Sequence, residues 1–271
     1  MKNRFKIAKN AFLDNIITKD YIELESSMIA FKQLVDAIDK PFKMIILYGR
    51  PGTGKSILMK NLFEKKKYQK ELFYMDTPSN SEKEFLEQIF YAFTGENVPD
   101  NSEVNFLGLV KYAKSIFKKK EFIFLLDEAQ MYDISILEKI RLLSDTGSIK
   151  FIMALHQNNK EELLARTHFS SRIWEMIELK NVDKEEQTTY INKKLLKKNL
   201  FDILNNIKDR DFKLIFKLTD GNFRECNKLM YTVFEICEFY ADTQPSKISH
   251  LDKNFYEFLQ LAGLKLGYIN A

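Results

Sequence analysis

The stretch Leu47–Ser56, LYGRPGTGKS, decides the fold of this chain, because it joins a short apolar run to a segment with helical periodicity. Gly49, four further residues, Gly54, Lys55 and Ser56 give the complete pattern G-x-x-x-x-G-K-[ST]. Glycines let the backbone curl so that successive N–H groups point at phosphate oxygens, and the following helix presents its amino terminus to the same anion. The flanking strand and helix patterns therefore favour a phosphate loop over a solvated glycine turn.

Each position of this loop has an expected role in holding a nucleotide and its metal ion. Lys55 is expected to reach the β- and γ-phosphates, and the hydroxyl of Ser56 is expected to ligate Mg²⁺. We expect ATP contacts along the whole loop and the start of its helix, at Gly49, Arg50, Pro51, Gly52, Thr53, Gly54, Lys55, Ser56 and Ile57.

A second polar site follows the apolar run Phe122–Leu126 within FIFLLDEAQ. Asp127 stands where P-loop enzymes place the acid that holds Mg²⁺ through its water shell. Glu128, the next residue, can polarise a water for attack on the γ-phosphate. A lone Asp-Glu pair is often a solvated turn, but after an apolar strand and a phosphate loop it favours catalysis. The presence of Glu128 indicates hydrolysis rather than nucleotide binding alone.

Short apolar runs alternate with helical patterns, which indicates a parallel sheet with helices on both faces. The predicted strands are Met44–Tyr48, Leu72–Met75, Phe122–Leu126, Ile149–Leu155 and Trp174–Leu179. After about Val182 only helical patterns follow, starting where Asp183 and Glu186 can form a capping box. We therefore predict an α/β fold, a P-loop three-layer parallel sheet over residues 1–181, followed by an all-helical lid domain over residues 182–271.

Composition favours a protein of a reducing compartment. The 271 residues carry a formal net charge of +4, and the lysine clusters at 65–67, 118–120 and 193–198 are typical of solvated helix faces, which permit nucleic-acid binding without requiring it. Cys226 and Cys237 indicate neither a disulfide framework nor a zinc site.

No apolar run approaches the roughly 20 residues of a membrane span, and the start of the chain does not resemble a signal peptide. We expect a cytoplasmic location.

Together these motifs resemble those of the AAA+ ATPases, and within them the branch of the ExeA and MshM ATPases of secretion and pilus systems and the TniB and MuB transposition ATPases. The resemblance covers nearly the whole chain. Besides GRPGTGKS and LLDEAQ, it rests on IKFIMALHQNNKEELLARTHFSSRIWEMIEL and on TDGNFREC, which is similar to the glycine-then-arginine element of a helical lid. The first two motifs are specific for nucleotide hydrolysis, and the other two are less specific.

The resemblance implies a polar sensor 1 side chain at the end of the strand Ile149–Leu155, between the two carboxylates and the γ-phosphate. Gln157 is the first choice and His156 the second, because HQNNK stands where the branch has GQPEL. A histidine at a strand end is more often structural than catalytic.

The resemblance also gives roles to two arginines. Arg172 corresponds to the region that projects an arginine finger into a neighbouring subunit's ATP, with Arg166 as the alternative; the other interpretation of Arg172 is an ion pair with a nearby acid. Arg224 resembles sensor 2, which contacts the γ-phosphate, and Gly221 permits a tight entry to its helix. The other interpretation of Arg224 is a surface arginine beside Glu225.

Residues ahead of the first strand fold over the adenine in this family. Tyr21 and Ile22, in ITKDYIELESS, offer an aromatic and an aliphatic side chain to a planar base, although a core position explains Tyr21 equally well.

The resemblance thus implies hydrolysis of Mg·ATP, bound between the two domains, by a homo-oligomer that works on a macromolecular partner. The ExeA branch implies a protein partner in a membrane-associated secretion, pilus or DNA-uptake apparatus, which would place the protein at the inner membrane through that partner. The alternative is a DNA-associated AAA+ ATPase of transposition or replication type. A metabolic P-loop kinase conflicts with Asp127, Glu128 and the helical domain.

Overall fold

The structure, a computed structural model, describes residues 2–14, 18–99, 102–164 and 167–270. The chain divides into two compact units. The helical unit contains Met1–Met28, Pro51–Gly54 and Lys180–Ala271, and the sheet unit contains Ile29–Arg50 and Lys55–Leu179.

The sheet unit is built on five parallel strands in the order β2-β3-β4-β1-β5. The strands are β1 (Met44–Gly49), β2 (Glu71–Met75), β3 (Phe122–Leu126), β4 (Ile149–His156) and β5 (Ile173–Leu179). The predicted α/β fold is therefore confirmed, and each strand lies within one residue of its predicted bounds. The central strands read as nearly continuous apolar runs because both faces of a parallel sheet are covered.

Helices make up most of the remaining structure. They are α1 (Lys2–Ala11), α2 (Glu25–Ile38), α3 (Lys55–Lys66), α4 (Glu82–Thr94), α5 (Phe106–Ser115), α6 (Ile134–Ser144), α7 (Gln157–Leu164), α8 (Thr167–Ser170), α9 (Lys184–Lys197), α10 (Phe201–Leu204), α11 (Asp209–Thr219), α12 (Phe223–Thr243), α13 (Pro245–Ser249) and α14 (Leu251–Lys265). In the part of the chain that the structure describes, none of them has the length and hydropathy of a membrane span.

The amino terminus of α9 is held by a local side-chain cap and by a contact with residues distant in sequence. Asp183 caps the helix, since its side chain accepts a hydrogen bond from the Glu186 N–H at 2.8 Å. The Glu186 carboxylate accepts from the backbone N–H of Ser26 at 2.8 Å. The predicted capping partner therefore binds the amino-terminal segment of the chain, within the helical unit.

The first 28 residues group with the carboxy-terminal helices, whereas the sequence pattern predicts a single domain over residues 1–181. The physical reason is the apolar face of α1 and the turn after it, where Phe5, Ala8 and Phe12 follow one another at helical spacing and are buried. The ring of Phe12 lies 5.8 Å from that of Phe234 on α12. Lys9 adds an ion pair with Glu238, also on α12, at 2.6 Å.

We predict that Phe12→Ala lowers the free energy of unfolding of the helical unit by roughly 3–5 kcal/mol, because it removes a large side chain that is only 1% exposed. Urea denaturation followed by far-ultraviolet circular dichroism measures the change. Ile7→Ala is the matched control, since this α1 side chain is 39% exposed and its loss should cost little. Equal effects of the two substitutions would show that α1 is not part of the core.

Candidate functional site

The phosphate loop, Gly49–Ser56, follows β1 and leads directly into α3, which begins at Lys55. Gly52 and Gly54 have φ angles of 83° and 94°. Both values lie in the left-handed region, which a residue with a side chain adopts only at a cost in energy. Gly52 and Gly54 are therefore required by the backbone conformation of the loop, although Gly52 stands at a variable position of the motif.

Lys55 is held against the beginning of this loop. Its side chain is buried, at 6% exposure for the residue, and its Nζ donates to the carbonyl oxygens of Gly49 at 3.0 Å and Arg50 at 3.1 Å. A buried ammonium group must be matched by acceptors. These carbonyls fix the charge at the carboxyl end of β1.

Asp127 follows the fully buried strand β3 and is only 3% exposed. Its carboxylate accepts hydrogen bonds from the Tyr74 hydroxyl at 3.1 Å and from the Glu128 N–H at 2.9 Å. Burial, and then the charge of Asp127, raise the pKa of Tyr74 well above its usual value, so the phenol remains a donor. Tyr74 was not predicted as a site residue. The only signal was its position in the strand that pairs with β3.

Glu128 has a left-handed backbone, with a φ angle of 47°. Its Oε2 atom lies 3.1 Å from Nε2 of His156, at the end of β4, and accepts a hydrogen bond from the side-chain amide of Gln130. The Gln130 Oε1 atom in turn accepts from the His156 N–H at 3.4 Å. The ends of β3 and β4 thus assemble a polar cluster of Glu128, Gln130 and His156.

Of the two candidates for sensor 1, this cluster contains His156, the second choice. Gln157 is the first residue of α7, one position further along the chain. The strand β4 continues one residue beyond its predicted end, so His156 still follows the strand direction and reaches the neighbouring carboxylate.

Arg172 lies at the amino end of β5, where its carbonyl oxygen accepts from the Met44 N–H at the start of β1. Its guanidinium is bidentate with Asp145, with Nε 2.9 Å from Oδ1 and Nη2 2.8 Å from Oδ2. Lys43 also donates to Asp145, at 2.6 Å. Arg172 first, and then Lys43, lower the pKa of Asp145 to about 2.

This position is at the opposite edge of the sheet from Gly49, because β1 runs from Met44 to Gly49. The six residues of β1 span five steps of about 3.3 Å, which separates the two edges by roughly 16 Å. Arg172 therefore does not approach Lys55 of its own chain. The alternative finger, Arg166, lies outside the described residues.

Arg224 occupies the first turn of α12 in the helical unit. Its Nε donates to Asp14 at 3.1 Å, and the side chain remains about half exposed. A Cβ atom built on Gly52 would lie 2.7 Å from the Cβ of Arg224. The predicted sensor 2 residue is thus in direct contact with the part of the phosphate loop that belongs to the helical unit.

The turn that leads into α12 requires a glycine at position 221. Gly221 has a φ angle of 69°, and a Cβ atom there would lie 1.8 Å from the carbonyl oxygen of Val182. The same Val182 donates its N–H to the Gly221 carbonyl at 3.2 Å. A side chain at position 221 would displace the start of the lid helices.

The two residues expected near adenine differ in their surroundings. Ile22 is buried in the core of the helical unit with Val182 and Tyr190. Tyr21 is partly buried, and burial raises the pKa of its phenol. Its carbonyl oxygen accepts from Lys197 at 2.8 Å, which ties this segment to α9.

These features define a P-loop ATPase domain: a glycine loop ending in a buried lysine after β1, and two carboxylates at the end of β3, a parallel strand of the same sheet. The AAA domain family matches residues 39–164, just under half of the chain. Those residues have the fold and the phosphate loop of an AAA+ P-loop ATPase domain, which supports an ATPase activity.

Solved structures extend the likeness in fold beyond the matched residues. Cdc6p from Pyrobaculum aerophilum has a TM-score of 0.65 at 14% identity, over 86% of this chain and 66% of that one. The Aeropyrum pernix ORC1 protein, in complex with DNA, has a TM-score of 0.63 at 15% identity, over 95% and 69%. The Thermotoga maritima RuvB Holliday junction branch migration motor has a TM-score of 0.56 at 15% identity, over 94% and 73%.

These TM-scores show a common fold, the AAA+ fold. The chain spans about two thirds of the length of the first of these structures. No curated protein sequence matches the chain.

We predict that Tyr74→Phe raises the Mg²⁺ concentration needed for half-maximal ATP hydrolysis by about tenfold, because a residue that orients a metal-holding carboxylate typically contributes 10–100-fold to metal affinity. Titration of activity with MgCl₂ at saturating ATP measures the shift. Tyr91→Phe, at an exposed tyrosine on α4, is the control. An unchanged Mg²⁺ dependence in the Tyr74 variant would assign its hydroxyl a purely structural role.

Proposed function

We propose that this protein is a Mg²⁺-dependent, oligomeric AAA+ ATPase that uses hydrolysis to change the conformation of a macromolecular assembly. The observation that carries the proposal is the cluster at the carboxyl ends of β3 and β4, where Glu128 lies beside buried Asp127 and 3.1 Å from His156. A nucleotide carrier without hydrolysis has no need of a second carboxylate held by its neighbours.

Oxygen donors at two positions fit a magnesium ion. Asp127 offers a buried carboxylate and Ser56 a hydroxyl, and hard oxygen ligands are the ones that Mg²⁺ takes. When bound, the ion would neutralise charge on the phosphates. Lys55, already fixed at the loop, would bind the β- and γ-phosphates, and the loop amides from Gly49 onward would bind the phosphate oxygens.

Glu128 is proposed to accept a proton from the attacking water. His156 would hold the Glu128 carboxylate at the end of its strand, which makes His156 the better candidate for sensor 1. Gln157 remains the alternative from the family resemblance. Arg224, against Gly52, would contact the γ-phosphate, and Tyr21 and Ile22 would shape the adenine site.

Arg172 is proposed to act on the nucleotide of a neighbouring subunit. Its place at the sheet edge opposite its own phosphate loop supports action in trans rather than in cis. Its bidentate bond to Asp145 means that the finger role requires the guanidinium to exchange partners. The competing proposal is a structural ion pair that joins the end of α6 to the start of β5.

Two kinds of macromolecular partner are proposed. A DNA-associated role draws support from the likeness in fold to an ORC1 protein in complex with DNA and to a branch migration motor. A protein partner in a secretion or pilus apparatus at the membrane rests on the ExeA-like motifs alone. We favour the DNA-associated role.

The lysine cluster of α9 contributes little to that choice. Lys193 donates to the Glu23 carbonyl at 2.7 Å and Lys197 donates to the Tyr21 carbonyl at 2.8 Å. Lys194 donates to Asn227 at 3.2 Å. These side chains form hydrogen bonds to the amino-terminal segment and to α12 within the helical unit, so they give little support to a DNA-binding surface on α9.

We predict that Glu128→Gln binds ATP with wild-type affinity but hydrolyses it at least 100-fold more slowly, because general-base catalysis typically contributes 10²–10⁴-fold. Lys55→Ala should instead abolish ATP binding. Fluorescent-nucleotide titration and phosphate release measure the two quantities. Glu138→Gln, on α6, is the control. Wild-type turnover in the Glu128 variant would remove that residue from the mechanism.

We predict that Arg172→Ala binds ATP but loses hydrolysis by a factor on the order of 10³ if the residue is a finger. Mixing it with Lys55→Ala should restore part of the activity, since each variant supplies what the other lacks. Turnover per subunit in the mixture is the measurement. Inactive mixtures that nevertheless co-assemble would leave Arg172 in its ion pair with Asp145.

We predict that the ATP-bound Glu128→Gln protein binds duplex DNA with an affinity that falls steeply as salt rises, because phosphate contacts release counterions. Fluorescence anisotropy with a labelled duplex between 50 and about 200 mM salt measures the slope. The nucleotide-free protein is the control. Absence of binding at low salt would contradict the DNA-associated role and leave the protein-partner proposal.

A further inference from the structure

Asn222 connects the phosphate loop to the helix that carries Arg224, entirely within the helical unit. It is the N-cap of α12, and its Oδ1 atom accepts from the N–H groups of Arg224 at 3.1 Å and Glu225 at 3.3 Å. Its Nδ2 atom donates to the carbonyl oxygen of Pro51 at 2.8 Å and to Oδ1 of Asn181 at 3.3 Å. An asparagine side chain has two donor and two acceptor positions, and all four are used.

The hydrogen bond to Pro51 fixes more than one carbonyl group. The Pro51–Gly52 peptide is trans, so its C=O and N–H bonds lie in one plane and point in opposite directions. With the Pro51 carbonyl held by Asn222, the Gly52 N–H is directed away from α12. Gly52 is one of the loop residues whose amides are expected to bind phosphate oxygens.

The contact between cap and loop is also sterically tight. A Cβ atom on Gly52 would lie 2.3 Å from Oδ1 of Asn222. Asn222 itself is only 9% exposed. The absence of a side chain at position 52 therefore allows the helix cap to approach the loop, in addition to permitting the left-handed backbone.

We propose that Asn222 is a positioning residue for nucleotide binding. Its Nδ2 atom fixes the orientation of the Pro51–Gly52 peptide, while its Oδ1 atom caps α12, the helix that carries Arg224. The inference deepens the proposed function and rests on it. It also distinguishes Asn222 from Arg224. Loop amides bind the α- and β-phosphates, which ATP and ADP share, whereas sensor 2 contacts the γ-phosphate of ATP alone.

Asn222→Ser separates the two roles of the side chain. Serine is as good an N-cap as asparagine, but its hydroxyl is too short to keep the bond to Pro51 together with the cap. We expect the dissociation constants of ATP and of ADP to rise by the same factor, roughly five- to tenfold for the loss of the hydrogen bond to Pro51. The melting temperature of the nucleotide-free protein should stay close to that of the wild type.

Two controls accompany this variant. Asn105→Ser changes the exposed N-cap of α5, which accepts from the Gly108 N–H at 3.1 Å, and should leave both dissociation constants unchanged. Arg224→Ala should weaken ATP binding more than ADP binding. Fluorescent ATP and ADP analogues, titrated into each full-length variant, give the constants.

Unchanged affinities in Asn222→Ser, or a lower melting temperature with unchanged affinities, would overturn the inference and leave Asn222 as a helix cap. A selective loss of ATP over ADP would also overturn it, because the effect would then act through Arg224. Asn222→Thr repeats the test if the serine variant does not fold, and failure of both to fold would assign Asn222 to the fold alone. Failure of the wild type to bind either nucleotide would instead reject the proposed function.

Discussion

Parallel pairing of β1, β3 and β4 is the constraint on which the arrangement of this site depends. Strands that run in one direction bring their carboxyl ends to the same edge of the sheet. The chain places Gly49, Asp127 and His156 at or just after these three ends. The apolar residues within the strands hold the sheet together. The polar residues beyond the strand ends lie close together although they are far apart in sequence. The same geometry sends Arg172, which precedes β5, to the other edge.

The helical unit adds a second level of organisation that the sheet does not supply. Pro51–Gly54 belong to it, together with the amino-terminal segment and the lid helices. Within this unit, α9 lysines hold the carbonyls of Glu23 and Tyr21, and Asp14 holds Arg224. The amino-terminal residues are thus placed by long side chains from helices that lie more than 150 positions away in sequence.

The fold can be predicted from the sequence because the strands are short, continuous apolar runs with clear turn signals at both ends. The sequence also predicts Lys55, Asp127 and Glu128 as site residues, since each belongs to a motif whose residues are adjacent along the chain. What it missed depends on pairing between strands. Tyr74 reaches Asp127 only because β2 lies beside β3 in register.

Other differences have equally specific causes. His156 rather than Gln157 contacts Glu128, because one additional strand residue decides which side chain faces the neighbouring strand end. The bond between Arg172 and Asp145 joins positions 27 apart, and the grouping of α1 with α12 depends on packing over more than 200 residues. Neither is encoded in a local pattern. The hydrogen bond between Asn222 and the Pro51 carbonyl is a contact of the same kind, since it joins residues 171 positions apart.

The left-handed backbone of Glu128 shows a conflict between local conformational preference and chemistry. A left-handed backbone costs a residue with a side chain about 1–2 kcal/mol, and glycine or asparagine adopts it more readily. Selection for stability alone would therefore disfavour glutamate at this position. The strain is retained where the side chain has a task that no easier residue can perform, and such sites are the ones at which proteins exchange stability for activity. Lys118, Asn199 and Asp220 share this conformation, so the angle of Glu128 supports its proposed catalytic role only together with its place directly after Asp127 at the end of β3.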